Sequence, residues 1–498
     1  MPVTVGTSTP TGWPTAGAPA EPHGGPGGRV GCRYPAAVIP PRLEPLLDAG
    51  AAPRRLGARF TAAGRNLFLV GGSVRDALLD RNAGDTDLDF ATDARPGEIQ
   101  GIVGDFASSF VLTGQRFGTV GAVRDGVTYE ITTFRSEVYR SDSRKPEVTF
   151  SDDIETDLSR RDFTVNALAI ALDDTPEMID PFGGLADLAA QVLRCPLDPA
   201  VSFGDDPLRM LRLFRFVSTL GFTAAANAVA AVEKMASRLA VVAAERIHTE
   251  LDKLLLGEHV GAALWGLVDS GLAAEVIPEL PALAVEQDPV HRHKDVLAHT
   301  IAVVEKTSPE LTLRLAALLH DIGKPATRRF DREGVSFHHH EAVGARLARD
   351  RLGALRYPTR TIDDVAELVF LHMRPHTYKM GWTDAAIRRY VRDAGGLLPL
   401  LNELVRCDVT TRSATRARAI ERRIDELEER IEELQAREEI DAMRPPIDGH
   451  AVMAHLGLEP GPVVGEAMAM LLEHRIEQGP YSVEEAYLLL DAWAASRS

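Results

Sequence analysis

Two aspartates, Asp87 and Asp89, stand two positions apart in the run Gly84-Asp-Thr-Asp-Leu-Asp-Phe90. Residues two apart on a strand face the same side. Both carboxylates can therefore converge on one or two Mg²⁺ ions, which prefer oxygen ligands. Metals held this way can activate an attacking hydroxyl and stabilise a leaving pyrophosphate in an in-line displacement. Asp85 would share that face, nearer the turn. Asp runs also serve as plain acidic surface turns, so context decides. Upstream, Leu67-Phe-Leu-Val-Gly-Gly-Ser-Val-Arg-Asp76 reads strand, Gly-Gly turn, helix. Glycine lets a ligand approach the backbone closely, and a helix start offers free N–H groups to an anion. Arg75, on the first turn, could then reach phosphate oxygens. Such a turn alone is common, and neither a P-loop nor GxGxxG is present. The specific constellation is a phosphate-ready turn followed, within one helix, by paired acids.

A second polar cluster lies in Leu158-Ser-Arg-Arg-Asp-Phe-Thr-Val-Asn-Ala-Leu168. Arg161, Asp162 and Asn166 read as polar groups entering an apolar helix. They could hold a triphosphate and ribose, or only salt-bridge a helix start. Further on, Asp206, Arg209, Arg212 and Arg215 recur every three residues and form one drifting ridge on a helix. Leu208, Leu211 and Phe214 form the adjacent ridge, which can face a core and leave the charged ridge free to line a site. Cytosine and adenine both carry an exocyclic amine beside a ring-nitrogen acceptor. An Asp can accept from the amine while an Arg donates to the ring nitrogen. Guanine and uracil present the reverse order, and a site built on one pattern rejects the other strongly. An ordinary amphipathic surface helix would show the same spacing.

A third cluster is rich in histidine. His299, the pair His320-Asp321, His338, His339, His340, His372, His376 and Asp408 follow one another along a helical block. Imidazole and carboxylate suit transition metals or a mixed divalent site.

The elements that must position these groups divide the 498-residue chain. Residues 1–35 are rich in Pro, Gly, Thr and Ala, too poor in apolar surface to offset ordering, and are expected to be disordered. Residues 36–195 alternate short β-like runs such as Leu67–Val70 and Tyr129–Thr133 with helices, the pattern of an α/β head. Residues 196–285 read as all-helical, with Pro278 and Pro281 suggesting a boundary. The His-rich block fills 286–412 and a helical tail 413–498. In that tail Ile420, Ile424, Leu427, Ile431 and Leu434 make a short heptad seam, read as a helical arm. Arg412, Arg416, Arg418, Arg422 and Arg423 precede the acidic part of the arm, where they could meet backbone phosphates or pair internally.

The bulk properties set limits. A formal net charge of −17 works against wholesale grip on nucleic acid, so a polynucleotide must bind at local basic patches. Three dispersed cysteines exclude a disulfide scaffold and fit a cytoplasmic location. Neither a transmembrane run nor a signal pattern is visible.

Taken together, Val-Gly-Gly-Ser-Val-Arg-Asp, Asp-Leu-Asp-Phe-Ala-Thr, Arg-Arg-Asp-Phe-Thr-Val-Asn-Ala-Leu and Asp180-Pro-Phe-Gly-Gly184 resemble the class II tRNA nucleotidyltransferases. These are the CCA-adding enzymes, whose close relatives are bacterial poly(A) polymerases. The motifs stand in family order over roughly residues 60–280. The resemblance implies an α+β chain: a small polymerase-like head, then an all-α neck and body and a tail that grips tRNA. It implies Mg²⁺ at Asp87 and Asp89, which would be the catalytic pair. Nucleotide contacts are implied at Gly72, Arg75, Arg161, Asp162, Asp206, Arg209, Arg212 and Arg215, with CTP, ATP and tRNA as partners. At the first acid of the base-reading pair, Asp205 stands where the family usually has Glu. The stretch Arg135 to Pro146 resembles the family's flexible loop, with Arg144-Lys145-Pro146 in place of its usual two arginines. His320-Asp321-Ile-Gly-Lys324, ending an apolar helix, resembles the HD phosphohydrolases. That likeness implies a second divalent metal on His299, His320, Asp321 and Asp408, with His340 and His372 extending the site. Two other readings stay open: a poly(A) polymerase, and a phosphohydrolase whose head only binds RNA.

Overall fold

The computed structural model describes residues 32–34, 39–81, 87–138, 147–285, 295–331, 334–375, 378, 382–409, 414–438 and 444–497. Ten strands build the head: β1 (Cys32–Tyr34), β2 (Leu67–Val70), β3 (Asp87–Thr92), β4 (Ser109–Val111), β5 (Thr119–Arg124), β6 (Val127–Thr133), β7 (Arg135–Val138), β8 (Glu147–Phe150), β9 (Ala169–Ala171) and β10 (Met178–Asp180). Eight of them form one sheet in the order β1-β10-β9-β2-β3-β6-β5-β4. β7 and β8 form a separate antiparallel ribbon. Within the large sheet only β3 and β6 run parallel, placing Asp87 opposite Thr128 and Asp89 opposite Glu130. Phe90, Tyr129 and Phe106 stack behind that pair and anchor it to the core.

The head helices are α1 (Glu44–Leu47), α2 (Ala52–Ala62), α3 (Gly72–Leu78), α4 (Pro96–Val103), α5 (Ile154–Ser159) and α6 (Gly184–Ala190). The turn between β2 and α3 is the expected strand–turn–helix. Gly71 holds it at φ 74°, ψ −136°, a conformation closed to side-chain-bearing residues.

All later modules are helical apart from short ribbons. α7 (Pro199–Asp205), α8 (Leu208–Leu220), α9 (Ala226–Met235), α10 (Ala244–Leu255), α11 (Val260–Asp269) and α12 (Ala273–Val276) form the neck and body. α13 (Val296–Lys306), α14 (Leu311–Leu319), α15 (Lys324–Thr327), α16 (His340–Ala354), α17 (Thr359–Leu371), α18 (Asp384–Ala394) and α19 (Leu398–Cys407) follow. α20 (Ala414–Glu438) then leads to α21 (Gly449–Leu456), α22 (Pro462–Gln478) and α23 (Val483–Ala495). One hydrophobic core runs from Leu43 to Leu434. A second, small core joins the last three helices through Val452, Leu471 and Leu490.

Three sequence expectations are corrected. Cys32–Tyr34 is not part of a featureless extension; it pairs antiparallel with β10 as an edge strand. Asp162 to Leu168 is not a helix. A 3₁₀ turn, Thr164–Asn166, leads instead into β9, whose three residues are fully buried on both faces. A short apolar run of this kind cannot be told from helix by periodicity. Asp206 does not share a helix with Arg209: it is extended, Pro207 follows, and its side chain accepts from Leu208 N at the start of α8. At the boundary suggested by Pro278 and Pro281, Leu280 and Leu283 are buried in the main core. The seam on α20 is likewise spent within the chain: Ile424, Leu427, Ile431 and Leu434 are all buried.

Candidate active site and metal centre

A cavity of about 910 Å³ lies between the head sheet and the neck helices. Glu130 of β6, Arg160 and Arg161 after α5, Asp206, Arg209 and Arg212 around α8, and Arg246 and Glu250 of α10 all line it. Asp89 stands beside this wall. A β-carbon at Gly71 would lie 3.4 Å from Asp89 Oδ2 and 2.9 Å from Arg161 Nη1. The glycine thus lets an acid and a guanidinium close over the turn. Asp87 occupies its expected place on β3; its side chain lies outside the described residues. Neighbouring residues in register share a sheet face, so Glu130 presents a further carboxylate beside Asp89. Oxygen donors on one face are what a hard divalent cation requires, so the residues present fit Mg²⁺.

The arginines divide by what holds them. Arg161 lines the cavity, and its Nη2 lies 3.3 Å from Asp157 Oδ2. Arg160 donates to the other Asp157 oxygen, Nη2 at 2.6 Å and Nε at 3.0 Å. Burial opposes the Asp157 charge, but the two guanidiniums outweigh it and hold the carboxyl below its ordinary range. Arg209 donates through Nη1 to Ser202 Oγ at 2.9 Å and through Nη2 to the Arg160 carbonyl. Arg212 donates to Asp162 Oδ2 at 2.6 Å and to Glu250 Oε1 at 2.9 Å. Its ridge is therefore not free, as the spacing alone suggested, but locked into α10. Arg215 pairs with Glu250 Oε2 at 2.8 Å and packs 3.8 Å over the Phe216 ring. Burial, with Arg212 beside it, pulls Arg215 down to about 10.

Asp162 is fully engaged with protein donors. Oδ1 accepts from Phe163 N and Asn166 Nδ2, and Oδ2 from Arg212. Burial would raise its carboxyl, yet Arg212 and Asn166 hold it well below the usual aspartate value. Arg75 is turned inward. It forms a paired contact with Asp76 and donates to Asn166 Oδ1 at 2.5 Å, leaving the cavity wall to others. Gly72 begins α3 one residue past the strained glycine. The resembling loop survives in part: Arg135 lines the cavity, while residues 139–146 lie outside the described residues.

Sequence reasoning missed four residues. Glu130 sits alone between apolar Tyr129 and Ile131 on a strand, a visible signal whose meaning depends on parallel pairing with distant β3. Asp157 is three and four residues before Arg160 and Arg161, a spacing that could have been read as a helix-end pair. Arg246 bonds Asp206 Oδ2 at 2.8 Å. With Glu250, it projects from a helix whose charged face has no local signal of a site.

The histidine block forms a second centre. His299 Nε2 lies 2.8 Å from Asp408 Oδ1 and 3.4 Å from His320 Nε2. His320 Nε2 lies 3.2 Å from Asp321 Oδ2. The other oxygen of Asp321 faces His340 Nε2 at 3.6 Å, and His340 faces His372 at 3.3 Å between Nε2 atoms. Two metal-sized triads result, His299–His320–Asp408 and Asp321–His340–His372. All four predicted ligands are gathered, and His340 and His372 extend the set. His376 lies outside the described residues. The Nδ1 atoms of His320, His340 and His372 meet the carbonyls of Ala317, Phe337 and Val369 at 2.6–2.8 Å. A carbonyl only accepts, so each Nδ1 carries a proton and each Nε2 is the nitrogen a metal would take, displacing a proton at His320. This donor set fits a divalent transition metal. Burial pulls His320 down, but Asp321 and Asp408 outweigh it and hold it up to about 10. Burial and His320 push His372 down to about 3. On the arm, Arg418, Arg422 and Arg423 fall on described helix, whereas Arg412 and the Arg416 side chain do not.

A mixed sheet with acids on its central strand β3, joined to helices and a histidine–aspartate centre, defines the architecture of a nucleotidyltransferase-type head with a fused HD module. Family models agree segment by segment: the poly A polymerase head domain over residues 67–194, the probable RNA- and SrmB-binding site of polymerase A over 221–283, and the HD domain over 296–424. The chain belongs to the tRNA nucleotidyltransferase and poly(A) polymerase family. The A-adding tRNA nucleotidyltransferase of Deinococcus radiodurans is 34% identical over 441 residues, 86% of this chain and 95% of that protein. The CCA-adding enzyme of Anoxybacillus flavithermus is 43% identical over 218 residues. That match spans 44% of this chain and 53% of the relative, about half its length. Among solved structures, the Bacillus stearothermophilus CCA-adding enzyme in complex with CTP superposes with a TM-score of 0.66 at 25% identity. It covers 92% of this chain and 99% of that one. The Thermotoga maritima CCA-adding enzyme complexed with tRNA shares the fold, with a TM-score of 0.55 at 20% identity over 90% and 95% of the chains.

Proposed function

We propose that this chain adds C, C and A to the 3′ end of tRNA without a nucleic-acid template, from CTP and ATP, with release of pyrophosphate. The observation that carries the reading is the cavity between head and neck on which Glu130, the arginine pair Arg160 and Arg161, and the base-reading Asp206 and Arg209 converge. Asp87 and Asp89, with Glu130 beside them, would hold Mg²⁺, which supplies charge stabilisation at the transferring phosphate and a more acidic attacking hydroxyl. Arg160 and Arg161 neutralise the triphosphate and orient it for in-line attack. Asp206 accepts from the amine of C or A, and Arg209 donates to the ring nitrogen beside it. Arg212 and Asp162 hold this wall rigid, and Arg75 and Gly72 set the turn under the phosphates. At the second centre, the six histidine and aspartate ligands would hold a divalent transition metal and support phosphoester hydrolysis. A cytoplasmic setting follows from the tRNA substrate.

A second reading, addition of A alone, is favoured by one observation: the relative matched along almost its whole length is an A-adding enzyme. One experiment decides. Purified protein is given tRNA ending before the first C, after one C, or after two, with CTP alone, ATP alone or both. Completion of every end by the missing nucleotides supports CCA addition. Addition only to the end that already carries both C residues supports the A-adding reading. Long A tails on unrelated RNA would support a poly(A) polymerase. Phosphate release without incorporation would leave only the hydrolytic centre.

A further inference from the structure

Resting on the reading of Arg160 and Arg161 as the triphosphate's partners, we infer that Asp157 is the positioning residue of that arginine pair. Its side chain is fully buried, while those of Arg160 and Arg161 are 16% and 18% exposed and line the cavity. Each oxygen serves a different guanidinium, Oδ1 holding Arg160 at 2.6 Å and Oδ2 holding Arg161 at 3.3 Å. Asp157 lies in the last turn of α5, and the two arginines follow where the helix ends. One carboxylate therefore fixes two cations whose backbone would otherwise leave them free to swing.

The pair reaches both halves of the site. On the head side, Arg161 Nη1 closes over Gly71 beside Asp89. On the neck side, the Arg160 carbonyl accepts from Arg209 Nη2. Asp157 thus sets the spacing between the acid-bearing strand and the base-reading arginine without touching either. Arg161 also keeps a buried Nε with no hydrogen-bond partner among the described residues, a donor suited to a phosphate oxygen. One negative charge against two positive leaves the pair net cationic toward the cavity. Substrate triphosphate is attracted, but the pull is moderated, so pyrophosphate can leave. A plain helix-end ion pair would not require a carboxylate removed from water, since burying a charge is costly unless its partners repay it.

The test uses the full chain and reads the two substrates separately. In Asp157→Asn, the KM for ATP and the Kd for ATP by calorimetry should rise about tenfold or more, and kcat should fall, since misplacing a positioning group by about 1 Å costs up to about a hundredfold. The KM for tRNA should change less than about threefold, because a loss of positioning acts only where the arginines meet the nucleotide. Should Asp157→Asn fail to fold, Asp157→Glu keeps the charge on a longer arm and should show the same split, about threefold to tenfold on ATP alone. A folded variant with unchanged ATP parameters, or with equal losses on ATP and tRNA, overturns the inference. Calorimetry with wild-type protein keeps the two ideas apart. ATP binding that depends on Asp157, without incorporation, would sink the proposed reaction but not this role.

Discussion

Replacing Gly71 by alanine should damage catalysis far more than it damages the fold. At φ 74° and ψ −136°, the residue sits where only glycine is comfortable, and holding alanine there costs about 1–3 kcal/mol. For a domain of about 150–250 residues, each kcal/mol lowers the melting temperature by about 2–4 °C. A loss of several degrees in the head is therefore expected, with the protein still folded at 25 °C. The new β-carbon would also stand 2.9 Å from Arg161 Nη1, closer than such contacts allow, and 3.4 Å from Asp89 Oδ2, an ordinary contact. The guanidinium, being the mobile partner, must yield. Its retreat pulls against Asp157, which holds Nη2 at 3.3 Å, and opens the gap between that cation and Asp89. A shift of about 1 Å in such a group costs about a hundredfold in rate. The assay pairs thermal unfolding with steady-state incorporation of labelled nucleotide at saturating tRNA. A drop in melting temperature with kcat/KM for nucleotide within about threefold of wild type would refute the claim that this glycine exists to bring Arg161 beside Asp89.

Other consequences follow from the same geometry. Arg209→Ala should raise misincorporation of UTP or GTP about tenfold or more while tRNA affinity changes little; an equal loss of tRNA binding would contradict its place in base selection. His320→Asn removes one Nε2 ligand and should lower the transition-metal content per chain, read by elemental analysis, with any phosphoester hydrolysis lost alongside; undiminished metal content would break the assignment. Asp162 titrates below the ordinary aspartate range in the folded state. Its stabilisation is therefore complete above about pH 4 and is lost as the pH falls toward its folded value. Asp162→Asn should flatten the acid-unfolding profile of the head below pH 4, and an unchanged slope would show that Asp162 carries no such linkage.

The parts of the site written in short motifs were legible from the sequence. The strand, glycine turn and helix around Gly71 and Gly72, the alternation of Asp87 and Asp89, and the order His299, His320-Asp321, Asp408 all survive in three dimensions. Each depends on local spacing, which a chain states directly. What stayed hidden depends on pairing across distance. Glu130 joins the acids only because β6 lies parallel to β3. Arg246 and Glu250 reach the cavity wall only because α10 packs along α8, turning an exposed-looking ridge into an ion-paired one. The helix expected after Asp162 failed for a different reason. Three small apolar residues, Ala169–Ala171, fit either period, and the sheet's demand for a strand beside β2 decided between them. Likewise, the heptad seam of α20 correctly marked a buried face but not its partner, which is α18 and α19 of the same chain.

Asp89, on the central strand β3 of the head sheet, is proposed to serve nucleotidyl transfer at an RNA end. Single-turnover incorporation from CTP and ATP into tRNA lacking its 3′-terminal nucleotides, compared between wild type and Asp89→Asn, tests it most directly. The account predicts stepwise completion by wild type and a loss of at least about a thousandfold in the variant, with tRNA binding retained. Incorporation by Asp89→Asn near the wild-type rate would contradict it.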